Sequence, residues 1–318
     1  MNQAVRVGTR ASALALTQTT TVAESLARLG GFDYELVRVS TTGDVNRASL
    51  SQIGGTGVFV AALREALLDD TCDVAVHSLK DLPTGEAEGL TVAAVPERAD
   101  IRDALCARDG LTLAGLPEGA SVGTGSPRRA AQLRAARPDL SVIDIRGNVD
   151  TRLARVAGLV DGGPGDLDAV VLAAAGLSRL GREALITEYL DPALMLPAPG
   201  QGALAVECRN DDAGSAALAV ALQHYDHAPT RLAVTAERAV LRRLEAGCTA
   251  PIGAHATVNG ESLSLEAVVC SVDGSRLLRR TRATTALTVD GAAAVGVVLA
   301  EELLANGAAE IAGLTAAS

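Results

Sequence analysis

Lys80 and Asp81 stand side by side in Ser78-Leu79-Lys80-Asp81-Leu82-Pro83, and Lys80 is the sole lysine in a chain whose Lys and Arg residues number 28. Codon bias accounts for an excess of arginine but not for the one position that stays lysine. A compact ammonium and a planar guanidinium are not interchangeable, so that position is marked as one where the ammonium matters. Two readings of Lys80 stay open: an amine nucleophile for carbonyl chemistry, or a surface cation paired with its neighbour. Asp81, beside a cation, stays ionised unless buried. Such a carboxylate can hold N–H groups and stabilise a cationic intermediate.

Around this pair the sequence places arginines at the starts of helices. In Ser126-Pro127-Arg128-Arg129 the serine caps, the proline takes the first helical position, and the free backbone N–H groups attract an anion. The two arginines add bidentate donors. Arg146-Gly147-Asn148 repeats the arrangement with Arg152 one turn on, and Arg10 holds the equivalent place near the N-terminus. Arginines at three strand-to-helix turns imply a ligand with several negative charges. Phosphate is not specified, because Ile53-Gly54-Gly55-Thr56-Gly57-Val58-Phe59 is neither a P-loop nor a dinucleotide fingerprint. Carboxylates fit as well.

Cys248 lies in a turn of small residues, Ala246 to Pro251, and by itself reads more readily as an unreactive thiol than as a nucleophile. The five cysteines are odd in number and widely spaced, which indicates neither a disulfide framework nor a zinc site. His77, His224, His227 and His255 show no partners at catalytic spacing and receive no role.

The elements that must position these groups alternate between strand and helix. Arg6–Gly8 reads as a strand, and Ser12 caps a helix running to Leu29 that Gly30-Gly31 stops. Tyr34–Val39 is the next strand; residues 40 to 57 form a Gly/Ser/Thr-rich loop before a helix over Val58–Leu68. Asp73–Val76 is a short buried strand, with Lys80 and Asp81 just past its end. Val7-Gly8-Thr9 and Val122-Gly123-Thr124 are echoes, each ending a strand before a serine-capped helix. The second echo is followed by helix Pro127–Ala136, strand Leu140–Ile145, another helix and strand Ala169–Ala173. Two similar α/β lobes facing one cleft are expected, with Leu196 to Gly202 as a crossing between them. After Pro229 a long helix to Glu245, three strands between Ile252 and Arg282 and a helix near Gly291–Leu304 suggest a separate α+β domain.

Composition narrows the function classes. At 318 residues, with 48% apolar residues, the chain is long enough for two or three cores. Aromatics are 2% and Trp is absent, which leaves no base-stacking platform, and a net charge of −10 has the wrong sign for tracking a phosphate backbone. No stretch has the length of a membrane span. A cytoplasmic protein that binds neither nucleic acid nor membrane is expected.

Seven ordered motifs resemble those of the porphobilinogen deaminase (hydroxymethylbilane synthase) family: Gly8–Ser12, Gly54–Phe59, Val76–Pro83, Gly123–Arg129, Arg146–Arg152, Leu196–Gly202 and Gly247–Gly253. The resemblance implies two lobes like those of type II periplasmic binding proteins, around a cleft, plus a C-terminal α+β domain. The expected bounds are 1–97 with 202–222, 101–198, and 226–318. It further implies a dipyrromethane cofactor in thioether linkage to Cys248, which overrides the bland reading of that thiol.

The implied reaction condenses four porphobilinogen molecules. Each loses ammonia to give an electrophilic azafulvene that the growing chain attacks, and hydrolysis then releases a linear tetrapyrrole. By matched position, Asp81 is catalytic, holding pyrrole N–H groups and stabilising the azafulvene cation. Lys80, Ser78, Thr124, Ser126, Arg128, Arg129, Arg146 and Gly202 match cofactor contacts, while Arg10, Ser12, Gln18, Arg146, Arg152 and Arg179 match substrate contacts. Gln52 and Thr56 depart from lysines common in relatives, Gly125 from a frequent serine, and Pro96 from a cysteine of some relatives. A monomer is implied. A two-lobed organic-anion binding protein and a Lys80 Schiff-base lyase are the rival readings.

Overall fold

Residues 4–39, 57–210, 215–244 and 250–313 are described by the computed structural model. The chain divides into two compact units, the first made of Met1–Ala99 and Ala203–Leu232, the second of Asp100–Gly202 and Ala233–Ser318.

In the first unit, β1 (Val5–Arg10), β2 (Tyr34–Val39), β3 (Val74–Ser78), β4 (Leu90–Ala94) and β10 (Leu204–Arg209) form one sheet in the order β2-β1-β3-β10-β4. β1 and β3 are parallel neighbours, whereas β10 runs antiparallel to β3 and β4. Helix α1 (Ala13–Gly30) begins where Ser12 Oγ accepts from Ala15 N and ends where Gly31 takes the left-handed conformation at φ 67°. Its buried residues Val22, Ala23 and Leu26 join Val5, Val7, Val74 and Val206 in the core of one face. On the other face Leu63 and Leu67 of α2 (Gly57–Leu68) cover Cys72 and Ala75. Every residue of β3 but the last is buried, as expected of a strand covered on both faces.

The second unit repeats that plan. Strands β5 (Asp103–Ala107), β6 (Ser121–Gly123), β7 (Ser141–Ile143), β8 (Ala169–Ala173) and β9 (Glu188–Tyr189) are ordered β7-β6-β8-β5-β9, with β6 parallel to β7 and β8 and β5 antiparallel to β8 and β9. The correspondence is strand for strand, and the slot of β10 in the first sheet is held by β5 in the second. Helix α3 (Pro127–Ala136) follows β6, α4 (Val149–Leu153) follows β7 and α5 (Ala174–Arg179) follows β8. The motif echo thus reflects two lobes of one topology, and the α/β expectation holds.

Helix α6 (Ala216–Tyr225) belongs to the first unit, and α7 (Ala228–Arg243) carries the chain from the first unit into the second. The antiparallel sheet β11 (Ile252–Asn259), β12 (Ser262–Cys270) and β13 (Leu277–Thr284) follows, with α8 (Val289–Ala305) and α9 (Ala308–Ala312). Val268 and Cys270 of β12 pack on Ala131 of α3 and on Leu196. Gly253 is needed at this junction, since a Cβ there would lie 2.7 Å from the Leu196 carbonyl oxygen. Glu237 of α7, wholly buried, accepts from Gly200 N at 2.6 Å and Ala256 N at 2.8 Å. The Leu196–Gly202 segment is therefore fastened to the C-terminal sheet as well as leading back toward the first unit.

Candidate functional site

In each lobe the singled-out residues stand at the carboxyl ends of the parallel strands, where open α/β sheets bind their ligands. In the first unit Arg10 ends β1, and Ser12 caps α1 directly after it. Gln18, one of the buried polar residues of α1, accepts through Oε1 from Ser78 Oγ at 3.2 Å, so α1 and the end of β3 are joined. Leu79–Asp81 is a single 3-10 turn. Three residues complete such a turn, so Leu79 and Leu82 share one side and both are buried. Lys80 and Asp81 fall on the other sides and are half-buried. Two leucines thus anchor the turn that presents the ammonium and the carboxylate.

Below that turn His77, given no role from sequence, has Nε2 3.2 Å from Glu207 Oε2, and Arg64 Nη2 lies 2.9 Å from Glu207 Oε1. Burial raises the Glu207 pKa, but His77 and Arg64 outweigh it, leaving that carboxyl below its ordinary value. This cluster ties α2, β3 and β10 together immediately before Ser78.

In the second unit, Thr124 follows β6 and is buried; its Oγ1 accepts from Ser126 N at 3.2 Å. Ser126 caps α3, accepting from Arg129 N at 3.4 Å. A Cβ at Gly125 would lie 2.5 Å from the Ile145 carbonyl oxygen, so this turn is pressed against the end of β7 with no room for a side chain. Arg146 follows there, 3.7 Å from Asp144, and Asn148 Oδ1 caps α4 by accepting from Thr151 N at 2.8 Å. Arg152 donates from Nε to Gly147 O at 2.9 Å, and Arg179 from Nη2 to Gly202 O at 2.8 Å.

Arg128 and Arg129 are nearly inaccessible, and both converge on Asp103, which the sequence reading did not single out. Arg128 Nη2 and Arg129 Nη2 each lie 2.8 Å from one of its oxygens. Burial pushes the Asp103 pKa up, yet the fields of Arg128 and Arg129, with a hydrogen bond from Gln201, bring it down to about 2. The signal for Asp103 was a lone carboxylate heading the apolar run Ala104-Leu105-Cys106-Ala107.

The second unit's cluster is rich in positive charge. Burial first, then Arg129 and Arg146, push Arg152 down to about 10, with Asp144 opposing only in part. Arg128 is likewise lowered, by burial and by Arg129, against the attraction of Asp103. Arg128 Nε and Arg146 Nε are buried with no hydrogen-bond acceptor. Guanidinium groups that repel one another and keep buried donors unsatisfied have the chemistry to receive carboxylates. The structure brings Thr124, Ser126, Arg128, Arg129, Arg146 and Arg152 together at the ends of β6 and β7, and Arg10, Ser12, Gln18, Ser78, Lys80 and Asp81 at the ends of β1 and β3. Arg179 and Gly202 meet at the end of α5. Cys248, Gln52 and Thr56 lie outside the described residues.

Residues 5–217 match the family model described as "Porphobilinogen deaminase, dipyromethane cofactor binding domain", and residues 231–305 match its C-terminal domain. The chain belongs to the porphobilinogen deaminase family. It is thereby an enzyme of the transferase class. Curated porphobilinogen deaminases run alongside it nearly end to end: the Cutibacterium acnes protein is 57% identical, covering 98% of both chains. That of Leifsonia xyli is 58% identical over 98% of this chain and 95% of its own, and Streptomyces coelicolor porphobilinogen deaminase 1 is 52% identical over 98% of each. A solved periplasmic substrate-binding protein from Coxiella burnetii aligns at 16% identity over 69% of this chain and 90% of its own, with a TM-score of 0.42. For a porphobilinogen deaminase, the orphaned Arg128 and Arg146 donors fit the carboxylates of a dipyrromethane. Among the described residues no helix is long and apolar enough to cross a membrane.

Proposed function

We propose that this chain is a cytoplasmic, monomeric hydroxymethylbilane synthase that joins four porphobilinogen molecules onto a covalent dipyrromethane and then releases a linear tetrapyrrole by hydrolysis. The observation that carries the reading is the gathering of Arg128, Arg129, Arg146 and Arg152 at the ends of β6 and β7, where Arg128 Nε and Arg146 Nε are buried without an acceptor. A carboxylate-rich ligand satisfies those donors and offsets the repulsion among the four cations.

A dipyrromethane supplies, when bound, a nucleophilic pyrrole α-carbon and four side-chain carboxylates. Cys248 is the residue that would hold it covalently. Arg128, Arg129, Arg146, Thr124, Ser126, Lys80, Ser78 and Gly202 would bind and orient it, the arginines as charge-assisted donors and Lys80 as a point charge. Arg10, Ser12, Gln18, Arg146, Arg152 and Arg179 receive the acetate and propionate of incoming porphobilinogen. Asp81, as the carboxylate, accepts from the substrate's pyrrole N–H and stabilises the positive charge that develops on the pyrrole as ammonia leaves, with the C–N bonding pair, from the already protonated aminomethyl group. Lys80 is a carboxylate ligand in this scheme and not a nucleophile. Functional domains at residues 1–97 with 202–222, 101–198 and 226–318 accompany the proposal.

Intact mass spectrometry of the purified chain tests it. The expected result is extra mass equal to two linked pyrroles, absent from Cys248→Ser. An unmodified protein that makes the tetrapyrrole at full rate sinks the reading, and borohydride-trapped substrate on Lys80 would replace it with the lyase.

A further inference from the structure

We propose that Asp103 is a positioning residue for the carboxylate receptor, fixing the orientation and the net charge of Arg128 and Arg129. The proposal rests on the function proposed above and adds a residue that touches neither cofactor nor substrate.

The geometry is specific to this task. Asp103 is the first residue of β5, and its pairing with Ala173 places it at the carboxyl end of β8, level with the arginine turns. Its side chain has no solvent exposure. Oδ2 meets Arg128 Nη2, and Oδ1 meets Arg129 Nε at 2.9 Å and Nη2 at 2.8 Å. Gln201 Nε2 adds a donor to Oδ1 at 2.9 Å and a second to Ile101 O at 2.8 Å, so Oδ1 is held by Arg129 and Gln201 together. Each arginine is held at its other edge by a carbonyl: Arg128 Nη1 by Leu196 O at 2.7 Å and Arg129 Nη1 by Val171 O at 3.2 Å.

One carboxylate between two guanidiniums leaves a single positive charge. Without it, two adjacent buried cations would repel; with a second carboxylate the pair would be neutral and would not attract an anion. A device for stability alone would use every donor, because a buried N–H left unmade costs free energy, and apolar side chains serve stability as well as a buried ion triad does. Here Arg128 Nε is buried and without an acceptor, although the residue is only 4% exposed. Asp103 and its carbonyl helpers therefore immobilise the pair while one donor stays reserved for a ligand.

The test uses the full chain, freed of cofactor, incubated with porphobilinogen while the two-pyrrole mass gain is followed over time. Asp103→Asn is compared with the parent and with Leu105→Ala, a core change in the same strand that lowers stability without touching an arginine. The expected result is uptake at least tenfold slower in folded Asp103→Asn and near-parental uptake in Leu105→Ala. Parental uptake in Asp103→Asn, or an equal loss in Leu105→Ala, overturns the proposal. If Asp103→Asn does not fold, Gln201→Leu decides, since it keeps the charge balance and frees the carboxylate: several-fold slower uptake supports the role and parental uptake refutes it. Crystals of cofactor-free Asp103→Asn or Gln201→Leu give a readout independent of any ligand, with displaced Arg128 and Arg129 guanidiniums expected and unmoved ones contrary. Uptake by the parent tests the function, and the variant-to-parent ratio tests Asp103.

Discussion

Arg152 Nε donates to the carbonyl oxygen of Gly147 at 2.9 Å, binding the first turn of α4 to the glycine turn that precedes it. One edge of the guanidinium is thereby spent on orientation, and its Nη groups are left for a carboxylate. A lysine cannot do both. Arg152→Lys is expected to raise KM for porphobilinogen about tenfold with kcat little changed, as for loss of a contact made equally in ground and transition states. A fall confined to kcat would contradict this assignment.

The same residue predicts an alkaline limb. Its pKa in the fold, about 10, is depressed by burial and by Arg129 and Arg146. The charged form is thus disfavoured in the ligand-free fold, and a bound carboxylate restores proton affinity. Near and above that pH ligand binding then takes up a proton, and KM should rise as pH passes 10. A KM that stays flat between pH 8 and about 11 speaks against it.

Asp81 is half-buried in a turn anchored by Leu79 and Leu82, so replacing its charge should leave the fold and the cofactor intact. Asp81→Asn is expected to retain the two-pyrrole mass while kcat falls by roughly 10²–10³, the scale for deleting one group that stabilises developing charge. Loss of the mass together with the rate would make Asp81 a binding residue instead.

Glu207 is almost wholly buried between His77 and Arg64. Removing one partner of a buried ion pair strands the others, so Glu207→Gln should cost about 3 kcal/mol in urea unfolding. An unchanged midpoint would show that the cluster contributes nothing.

Asp103 sets an acid limb for stability. Its pKa in the fold, about 2, lies below its ordinary 3.8, so its contribution is fully present above pH ~4 and is lost as pH falls through 2. The contribution is on the order of 2 kcal/mol. Urea midpoints measured from pH 5 downward should fall more steeply for the parent than for Asp103→Asn.

Periodicity and caps made much of this architecture legible. Tyr34–Val39, Pro127–Ala136 and Ala169–Ala173 occur with the expected bounds, because a Gly-Gly stop, a Ser-Pro start and an apolar run each act locally. The strands that were missed, β4, β5, β9 and β10, have no such local mark. β5 and β10 each carry a carboxylate, Asp103 or Glu207, within an apolar run, and only distant partners explain it. In the same way, the arginines read as an anion site from their turns alone, but the buried carboxylate that half-neutralises two of them lies 25 residues upstream of Arg128, and no spacing rule points to it. His77 lacked a partner at any sequence spacing because Glu207 reaches it across neighbouring strands.

The fourth slot of each sheet has a consequence for how the chain is made. In the second unit that slot is taken by β5, which leaves the ribosome ahead of its neighbours. In the first it is taken by β10, synthesised only after the entire 100–202 segment. Until then β3 and β4 have no strand to join them, and both expose unpaired backbone groups that invite wrong pairing. The N-terminal half must wait, incomplete, while a second sheet of the same topology is produced. Vectorial synthesis therefore favours completion of the later lobe before the earlier one, and a nascent chain halted before residue 204 leaves an aggregation-prone edge rather than a finished lobe.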